Sequence, residues 1–166
     1  MKIAVDVKMK AQFIYDLLLY HTYSKFTGFV INLVGLSVIV MGGYSLKAGR
    51  ITMGQCALYI AVGLCVLCFT PFNLKMQSKK MIKSPKYEDV IRYNFDEQGI
   101  EEVIGDKINT YSWSKVKKAT ATPKNIAFYV TDESALILPK ESFGENFMPV
   151  MKLVAENMSR EKIYIH

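Results

Sequence analysis

The hydrophobic positions divide the chain into an uncharged part and an alternating part. No charged residue occurs from Phe26 to Leu46 or from Ile51 to Leu74. Each run provides the roughly 20 apolar residues that a helix needs to cross the hydrocarbon core of a bilayer. The first run starts too late and is too long for a signal peptide, and the second follows it at once. The pattern therefore predicts two membrane-spanning helices, at about 26–46 and 51–74.

Only residues 47–50 separate the two runs, so we expect the spans to form an antiparallel hairpin. Small side chains on one helical face allow two helices to pack closely in lipid. The predicted packing residues are Gly28, Asn32, Gly35 and Gly42 on the first span and Ala57, Ala61 and Cys65 on the second. Asn32 is the most polar residue deep in either span, and we expect it to make an interhelical or intersubunit hydrogen bond. A contact with a substrate or ion is the alternative, but two helices cannot enclose a path.

The first 25 residues show two different periods. Lys2 to Met9 alternates between apolar and polar positions, which predicts a half-buried strand. From Ala11 to Lys25 the apolar residues recur at helical spacing, and the tyrosines among them suit the headgroup layer. We therefore predict an N-terminal segment, residues 1–25, that contains a strand and an amphipathic helix at the membrane interface.

Residues 87–166 have the pattern of a mostly β domain. Alternation with period two between turn residues predicts strands in one meandering antiparallel sheet. The expected strands are Tyr87–Phe95, Gly99–Ile104, Lys107–Trp113, Lys115–Thr122, Asn125–Thr131 and Ser134–Leu138.

After Pro139 the apolar period becomes helical, and a stripe from Phe143 to Met158 predicts an amphipathic helix. Ser142 is its expected cap, and Glu141 and Glu145 fall in its expected first turn. A meander of this kind with a C-terminal helix is typical of a pleckstrin-homology-like barrel. The predicted fold is an α+β membrane protein, in which a two-helix transmembrane hairpin, residues 26–74, precedes a small antiparallel β barrel with a C-terminal helix.

The net charge of +6 lies beside the predicted spans. Residues 87–166 contain ten basic and thirteen acidic residues, a balance that excludes a nucleic-acid-binding surface on the β domain. The juxtamembrane segment, residues 75–86, is basic and has no acid, so its lysines are candidate contacts for anionic lipid. These lysines are Lys75, Lys79, Lys80, Lys83 and Lys86. Because basic flanks are retained on the inner side, we expect a multi-pass cell-membrane protein with both termini in the cytoplasm.

The sequence lacks the constellations that an active site requires. All three cysteines lie in the second predicted span, and His21 and His166 have no nucleophile and carboxylate to complete a triad. The adjacent acids Glu101-Glu102 and Asp132-Glu133 do not form a catalytic carboxylate pair, because neighbours in strands and turns point to opposite sides, and we expect both runs to lie on solvated faces. No phosphate loop or metal-spaced ligand set occurs. We therefore expect no enzyme, no cofactor and no metal.

Three motifs follow the spans. They are Phe95-Asp96-Glu97-Gln98-Gly99-Ile100, Tyr111-Ser112-Trp113-Ser114-Lys115-Val116 and Ile137-Leu138-Pro139-Lys140-Glu141-Ser142-Phe143. With the strand, helix and spans that precede them, they resemble the YcxB-like membrane proteins of bacteria, which show a similar F-x-x-x-G-I, W-S-x-V and L-P-K progression. The resemblance implies the fold and an inner-membrane location, and it implies no particular activity.

These features predict a membrane-anchored, non-enzymatic interaction or regulatory module. Its cytoplasmic β domain would bind a protein or peptide near the inner membrane surface, and its hairpin is a candidate contact for a homo-oligomer. The alternative is a membrane-inserted partner, of the immunity type or regulatory, that acts through its transmembrane helices. The two hypotheses differ in which half of the chain carries the specificity.

Overall fold

The computed structural model describes residues 2–24, 26–132 and 134–165, except for the side chain of Thr27. The chain forms two compact units. Residues 1–17 and 78–166 form the first, here called the β unit, and residues 18–77 form the second, here called the hairpin unit.

Every helix and strand predicted from the sequence is present, and only the strand Gly99–Ile104 keeps both of its predicted bounds. The α-helices are α1 (Ala11–Tyr23), α2 (Phe26–Lys47), α3 (Met53–Met81) and α4 (Phe147–Asn157). The strands are β1 (Ile3–Val7), β2 (Ile91–Phe95), β3 (Gly99–Ile104), β4 (Lys107–Ser112), β5 (Lys118–Ala121), β6 (Asn125–Tyr129), β7 (Ala135–Pro139) and β8 (Ile163–Tyr164).

Local sequence explains where the two long apolar helices end and begin. Gly49 has a φ of +67° and ends α2, because its amide donates to the Leu46 carbonyl at 3.0 Å. The Thr52 amide donates to Gln55 Oε1 at 2.8 Å, and the Gln55 amide donates to Thr52 Oγ1 at 3.3 Å. This reciprocal capping box starts α3 at Met53.

Glycines bring α2 and α3 together within the hairpin unit. A Cβ added at Gly63 would lie 2.8 Å from the Gly35 carbonyl oxygen, so these two backbones are in direct contact. A Cβ added at Gly42 would lie 2.5 Å from Tyr59 Cβ. Any side chain at these positions would force the helices apart, and the glycines therefore set the distance between them.

The small-residue ridge that the sequence predicted on the second span does not form this contact. Ala57, Ala61 and Cys65 are exposed on the hairpin unit. The contact instead follows the face of α3 that contains Gly63, because the backbones approach most closely there. The α3 residues nearest to Gly35 and Gly42 of α2 are Cys56, Tyr59, Gly63 and Leu67.

The first sheet of the β unit has the strand order β1-β2-β3-β4 and is antiparallel throughout. β1 pairs with β2 along its whole length, from Ile3 opposite Phe95 to Val7 opposite Ile91. Residues 8–90, which include both long apolar helices, are thus inserted between two neighbouring strands. The sequence predicted β1 as a strand but gave no indication of this pairing.

The remaining strands form a second sheet with the order β7-β6-β5-β8, in which only the short β5–β8 pair is parallel. The single meander predicted from the sequence is therefore wrong, and the chain changes sheets after β4. A 3₁₀ turn at Trp113–Lys115 makes this change. It directs the Trp113 ring to within 6.4 Å of the Phe95 and Phe128 rings, measured between centroids. The indole N–H donates to the Asp96 carbonyl at 2.9 Å.

The C-terminal helix begins later than predicted. Two 3₁₀ turns precede α4, and Gly144, the first residue of the second turn, has a φ of +49°, which a continuous helix does not allow. Ser142 therefore does not cap α4, and Glu141 and Glu145 lie before its first turn. The tail, which the sequence did not assign, forms the 3₁₀ turn Arg160–Lys162 and then β8.

The first half of α1 packs on the β unit. Phe13 and Ile14 are buried. The Asp16 carboxylate accepts hydrogen bonds from the Thr122 hydroxyl and from the Asn125 side-chain amide, the latter at 2.8 Å. The same amide donates to the Phe13 carbonyl at 2.9 Å, and Asn125 is fully buried. A buried polar cluster therefore fixes the start of α1 to the second sheet.

We predict that residues 79–166 alone do not fold, whereas residues 1–17 joined by a flexible Gly/Ser linker to residues 78–166 do. Without β1, the β2 edge loses its partner and the burial of Ile3, Val5 and Val7 is lost. Each buried aliphatic side chain contributes about 1.5–3 kcal/mol, and a domain's whole stability is about 5–15 kcal/mol. Circular dichroism and the emission of the single tryptophan, Trp113, would follow unfolding. Equal melting temperatures for both fragments would contradict this role of β1.

Candidate functional site

Glu102 is a buried carboxylate in the first sheet. It lies opposite Tyr93 on β2 and opposite Asn109 on β4, so the three side chains form one row across the inner face. Glu102 is 1% exposed. A carboxylate at this depth requires compensation, because an unpaired buried charge is strongly destabilising.

Four neighbours compensate the Glu102 charge. Oε1 accepts a hydrogen bond from the Tyr93 hydroxyl at 3.1 Å and lies 3.2 Å from Lys86 Nζ. Oε2 accepts from the Asn109 side-chain amide at 3.3 Å and from the Tyr111 hydroxyl at 3.5 Å. Three of the four partners belong to strands of the sheet, and the cation comes from the turn before β2. The sheet therefore orients the carboxylate, and a residue outside the sheet balances its charge.

The Glu102 carboxylate lines an open cleft with a volume of about 510 Å³. Asp89, Glu102 and Asp106 are its acidic lining residues, and Lys86 and Lys107 are its basic ones. The cleft thus has a formal charge of −1, three acids against two lysines. Asn109 and Tyr111 complete the wall that β4 provides.

The tyrosines beside Glu102 are held in the neutral form. Burial raises the pKa of Tyr93 well above its usual value, and the adjacent Glu102 charge raises it further. Burial and the Glu102 charge also raise the pKa of Tyr111, while Lys86 opposes them. Both hydroxyls therefore keep the protons that they donate to Glu102 at neutral pH.

β4 is an edge strand, and within the described part of the chain only β3 pairs with it. Ile104 and Lys107 flank the two-residue turn Gly105-Asp106 and are paired with each other. Starting from Lys107, every second residue of β4 makes its backbone hydrogen bonds to β3. Ile108 and Thr110 therefore direct their backbone N–H and C=O groups away from the sheet. Residues 107–110 of β4 are all exposed, Ile108 by 64%.

The lysines predicted to contact lipid do not share one environment. Lys86 pairs with the buried Glu102, so its ammonium has a protein partner. Lys75, Lys79 and Lys80 lie on the last turns of α3 and are exposed, as is Lys83 beyond the helix. Lipid contact stays a prediction for these four.

The predicted packing residues of α2 also differ in what they contact. Gly35 and Gly42 lie at the contact with α3. A Cβ at Gly28 would instead meet the Thr22 carbonyl oxygen at 2.5 Å, so Gly28 permits the turn from α1. Asn32 is half-buried, and its role in a hydrogen bond between helices or subunits stays a prediction.

The residues considered as candidates for catalysis or metal binding do not form a cluster in the described part of the chain. Cys56, Cys65 and Cys68 are free thiols on α3. Among the described residues, no three His, Cys, Asp or Glu side chains are placed to hold a metal ion. Glu133 and His166 fall outside the described ranges.

Sequence reasoning missed Glu102. Its neighbour Glu101 fits the predicted solvated face, where it pairs with Lys2 at 3.0 Å. Glu102 instead points inward with Ile100, as the parity of the strand requires, and the prediction of a solvated face is wrong for it. The signal was present in the sequence, because Ile100, Glu102 and Ile104 occupy one face of a strand with period two.

Comparison with known protein families gives a match to the YcxB-like protein family over residues 95–148. This match confirms the family resemblance over that segment. The curated proteins give no match, and the solved structures give none. The matched segment includes β3 and β4, and so contains Glu102 and the β4 edge.

The motifs in the matched segment have structural roles. Phe95 is fully buried, and a Cβ at Gly99 would lie 2.1 Å from the Tyr111 carbonyl oxygen. Trp113 and Val116 flank the turn between the sheets, and both are buried. The family pattern therefore marks the core and the changes of chain direction rather than a set of reacting groups.

We predict that the free energy of unfolding of the β unit falls above about pH 10, the pKa of an unfolded tyrosine. The folded protein holds the Tyr93 proton more tightly than the unfolded chain, so stability is lost as pH rises toward the raised pKa. One such group contributes at most about 1.4 kcal/mol per pH unit. Urea titrations of the full-length protein in detergent, followed by Trp113 emission, would measure it.

Tyr93→Phe should reduce this fall, although it also removes a hydrogen bond to Glu102 that contributes about 1.5–3 kcal/mol while Tyr93 is protonated. The matched control is Tyr164→Phe, whose ring is 51% exposed, and we expect it to leave the fall unchanged. An identical pH dependence in wild type and Tyr93→Phe would show that Tyr93 does not carry the effect.

Proposed function

We propose that this chain, YcxB-like over residues 95–148, is a membrane-anchored, non-enzymatic interaction module. In this proposal the hairpin unit crosses the cell membrane with both termini in the cytoplasm, and the β unit binds an extended segment of a partner protein along β4. The observation that carries the proposal is an open backbone edge beside a cleft that contains a buried charge.

The length and composition of α2 and α3 support membrane insertion. The most apolar 18-residue window within each of the stretches Gly28–Lys47 and Met53–Met81 has a mean hydropathy of 1.9. Phe29, Leu58 and Phe69 are at least 60% exposed, an arrangement that lipid favours and water does not. The apolar part of α3, residues 53–74, is roughly 33 Å long at 1.5 Å per residue, close to the hydrocarbon thickness of a bilayer.

The β1–β2 ladder supports a topology with both flanks of the hairpin on one side. β1 precedes both apolar helices and β2 follows them, so the first sheet is complete only where the two flanks meet. If the chain crosses the membrane twice, both flanks of the hairpin lie on the same side, as the β1–β2 pairing requires. The basic segment 75–86 favours the cytoplasmic side for that meeting.

The order of elements in the β unit favours a pleckstrin-homology-like arrangement. Seven strands, β1 to β7, have only antiparallel partners among themselves, and the amphipathic helix α4 follows them. In this proposal the hairpin is an insertion between the first and second strands of that domain. Such a domain suits recognition of a protein segment or a membrane surface.

The β4 edge and its cleft support binding rather than catalysis. An edge strand offers main-chain groups to an added strand, while neighbouring pockets select its side chains. The Glu102 carboxylate already has four partners, and its tyrosines stay protonated, which suits a fixed charge better than proton transfer. Lys79, Lys80 and Lys83 would each add about 1 kcal/mol of attraction to anionic lipid.

Cysteine labelling tests the anchoring and the topology. In a variant without the three native cysteines, we expect Ala48→Cys in the loop to react with an impermeant maleimide in intact cells. Ser159→Cys, on the exposed end of the β unit, should react only after permeabilisation. Equal reactivity of the two positions in intact cells, or recovery of the protein from cells without detergent, would refute the topology.

Photocrosslinking tests strand addition at β4. With benzoylphenylalanine in place of the exposed Ile108, we expect an adduct with a partner protein in intact cells. The same group at Met148, which is 72% exposed on α4, is the matched control. Thr110→Pro should abolish the adduct because it removes an outward N–H, whereas Thr110→Ala, which keeps that N–H, should not.

Three results would count against binding at β4. An adduct with a second copy of this chain would make β4 a self-association edge. Persistence of the adduct in Thr110→Pro would mean that strand pairing is not involved. Adducts from Phe69 on α3 but not from position 108 would favour the alternative in which the chain acts through its transmembrane helices.

A further inference from the structure

Among the residues that the structure describes, the buried charge in the cleft has one cationic partner, Lys86, which comes from outside the sheet. We propose that Glu102 recognises a basic side chain, arginine or lysine, on the extended segment that pairs with β4. In the absence of the partner, Lys86 is the cation beside Glu102. The inference rests on the proposed function, since it names the chemistry of the segment that the β4 edge would bind.

The register of the sheet places such a side chain within reach. Tyr93, Glu102 and Asn109 lie side by side on neighbouring strands, and a strand added to β4 would continue the row. The residue opposite Asn109 would have its Cα about 10 Å from that of Glu102, two strand spacings away. Opposite residues point to the same face, so this side chain enters the cleft. An extended arginine or lysine can bridge the remaining gap to the carboxylate.

The charges of the cleft select a cation. With Lys86 in place the five charged lining residues sum to −1, and with Lys86 withdrawn they sum to −2. An acidic side chain from the partner would therefore meet repulsion, and an apolar one that displaced Lys86 would leave Glu102 without a counter-charge. Discrimination of this kind rests on the cost of the wrong partner as much as on the gain from the right one.

Lys86 is suited to be a replaceable occupant. Tyr93, Asn109 and Tyr111 are held by strands, but Lys86 lies on the 3₁₀ turn Pro85–Tyr87. Its side chain is 41% exposed, so its ammonium can return to water at modest cost. A competing cation cannot pair with Glu102 while Lys86 does. The apparent affinity for that cation is therefore reduced in proportion to the fraction of time that Lys86 is paired.

Two matched peptides test the inference on the full-length protein in phosphatidylcholine nanodiscs. The probe is fluorescent Thr-Val-Thr-Arg-Thr-Val-Thr, and the control has Gln in place of Arg. We expect fluorescence anisotropy to give a Kd about tenfold lower for the Arg peptide, because only this peptide supplies the counter-charge. This comparison needs no variant of the protein.

Two variants should act in opposite directions. Lys86→Gln removes the internal competitor, so the Arg peptide should bind more tightly than it binds wild type. Glu102→Gln removes the recognised charge, so the preference for Arg over Gln should disappear. A purely structural ion pair would not give opposite signs. Trp113 emission would report whether each variant folds. If Glu102→Gln does not fold, the comparison of the two peptides and the Lys86→Gln variant test the inference without it.

Equal affinity for the two peptides would overturn recognition of a basic side chain while leaving strand addition at β4 standing. Binding of neither peptide would overturn the inference too, and crosslinking from position 108 would then decide the proposed function separately. If Lys86→Gln binds the Arg peptide no more tightly than wild type, Lys86 is not an occupant of the site.

Discussion

The pairing of β1 with β2 is the constraint from which the rest of the architecture follows. The two strands are separated by residues 8–90, and closing so long a loop costs chain entropy that grows only slowly with its length. The insertion is itself helical, which reduces the freedom to be lost. Burial of Ile3, Val5 and Val7 against the first sheet offsets the remainder. The β unit is therefore completed by residues from both sides of the hairpin.

A buried polar cluster holds the chain on each side of that insertion. Before the hairpin, Asp16 on α1 accepts hydrogen bonds from Asn125 and Thr122 of the second sheet. After it, Lys86 pairs with Glu102 of the first sheet. Apolar contacts tolerate sliding, whereas these bonds specify one position for each segment. The second cluster differs from the first because it borders an open cleft, and this difference makes it a candidate for recognition.

The family motifs and the candidate site lie in the same segment, but different physical causes explain the positions of their residues. Phe95, Gly99, Trp113 and Val116 are placed by packing and by the close approach of β3 and β4. Glu102 contributes no apolar burial, and its position is explained only by the partners that compensate its charge. The motifs therefore reflect packing and changes of chain direction within residues 95–148, while the charge and the open edge beside them carry the argument for binding.

The sequence alone determined the two apolar helices and the strands β1 to β7, most of whose bounds the structure shifts, because hydrophobic length and period are local properties of the chain. It did not determine that β1 joins β2, that α3 meets α2 through Gly63 rather than Ala61, or that Glu102 is covered whereas Glu101 is not. Period two assigns residues to opposite faces of a strand, and period 3.6 assigns them to faces of a helix. Which face is then buried depends on contacts between residues distant in the chain, and only the tertiary structure decides those.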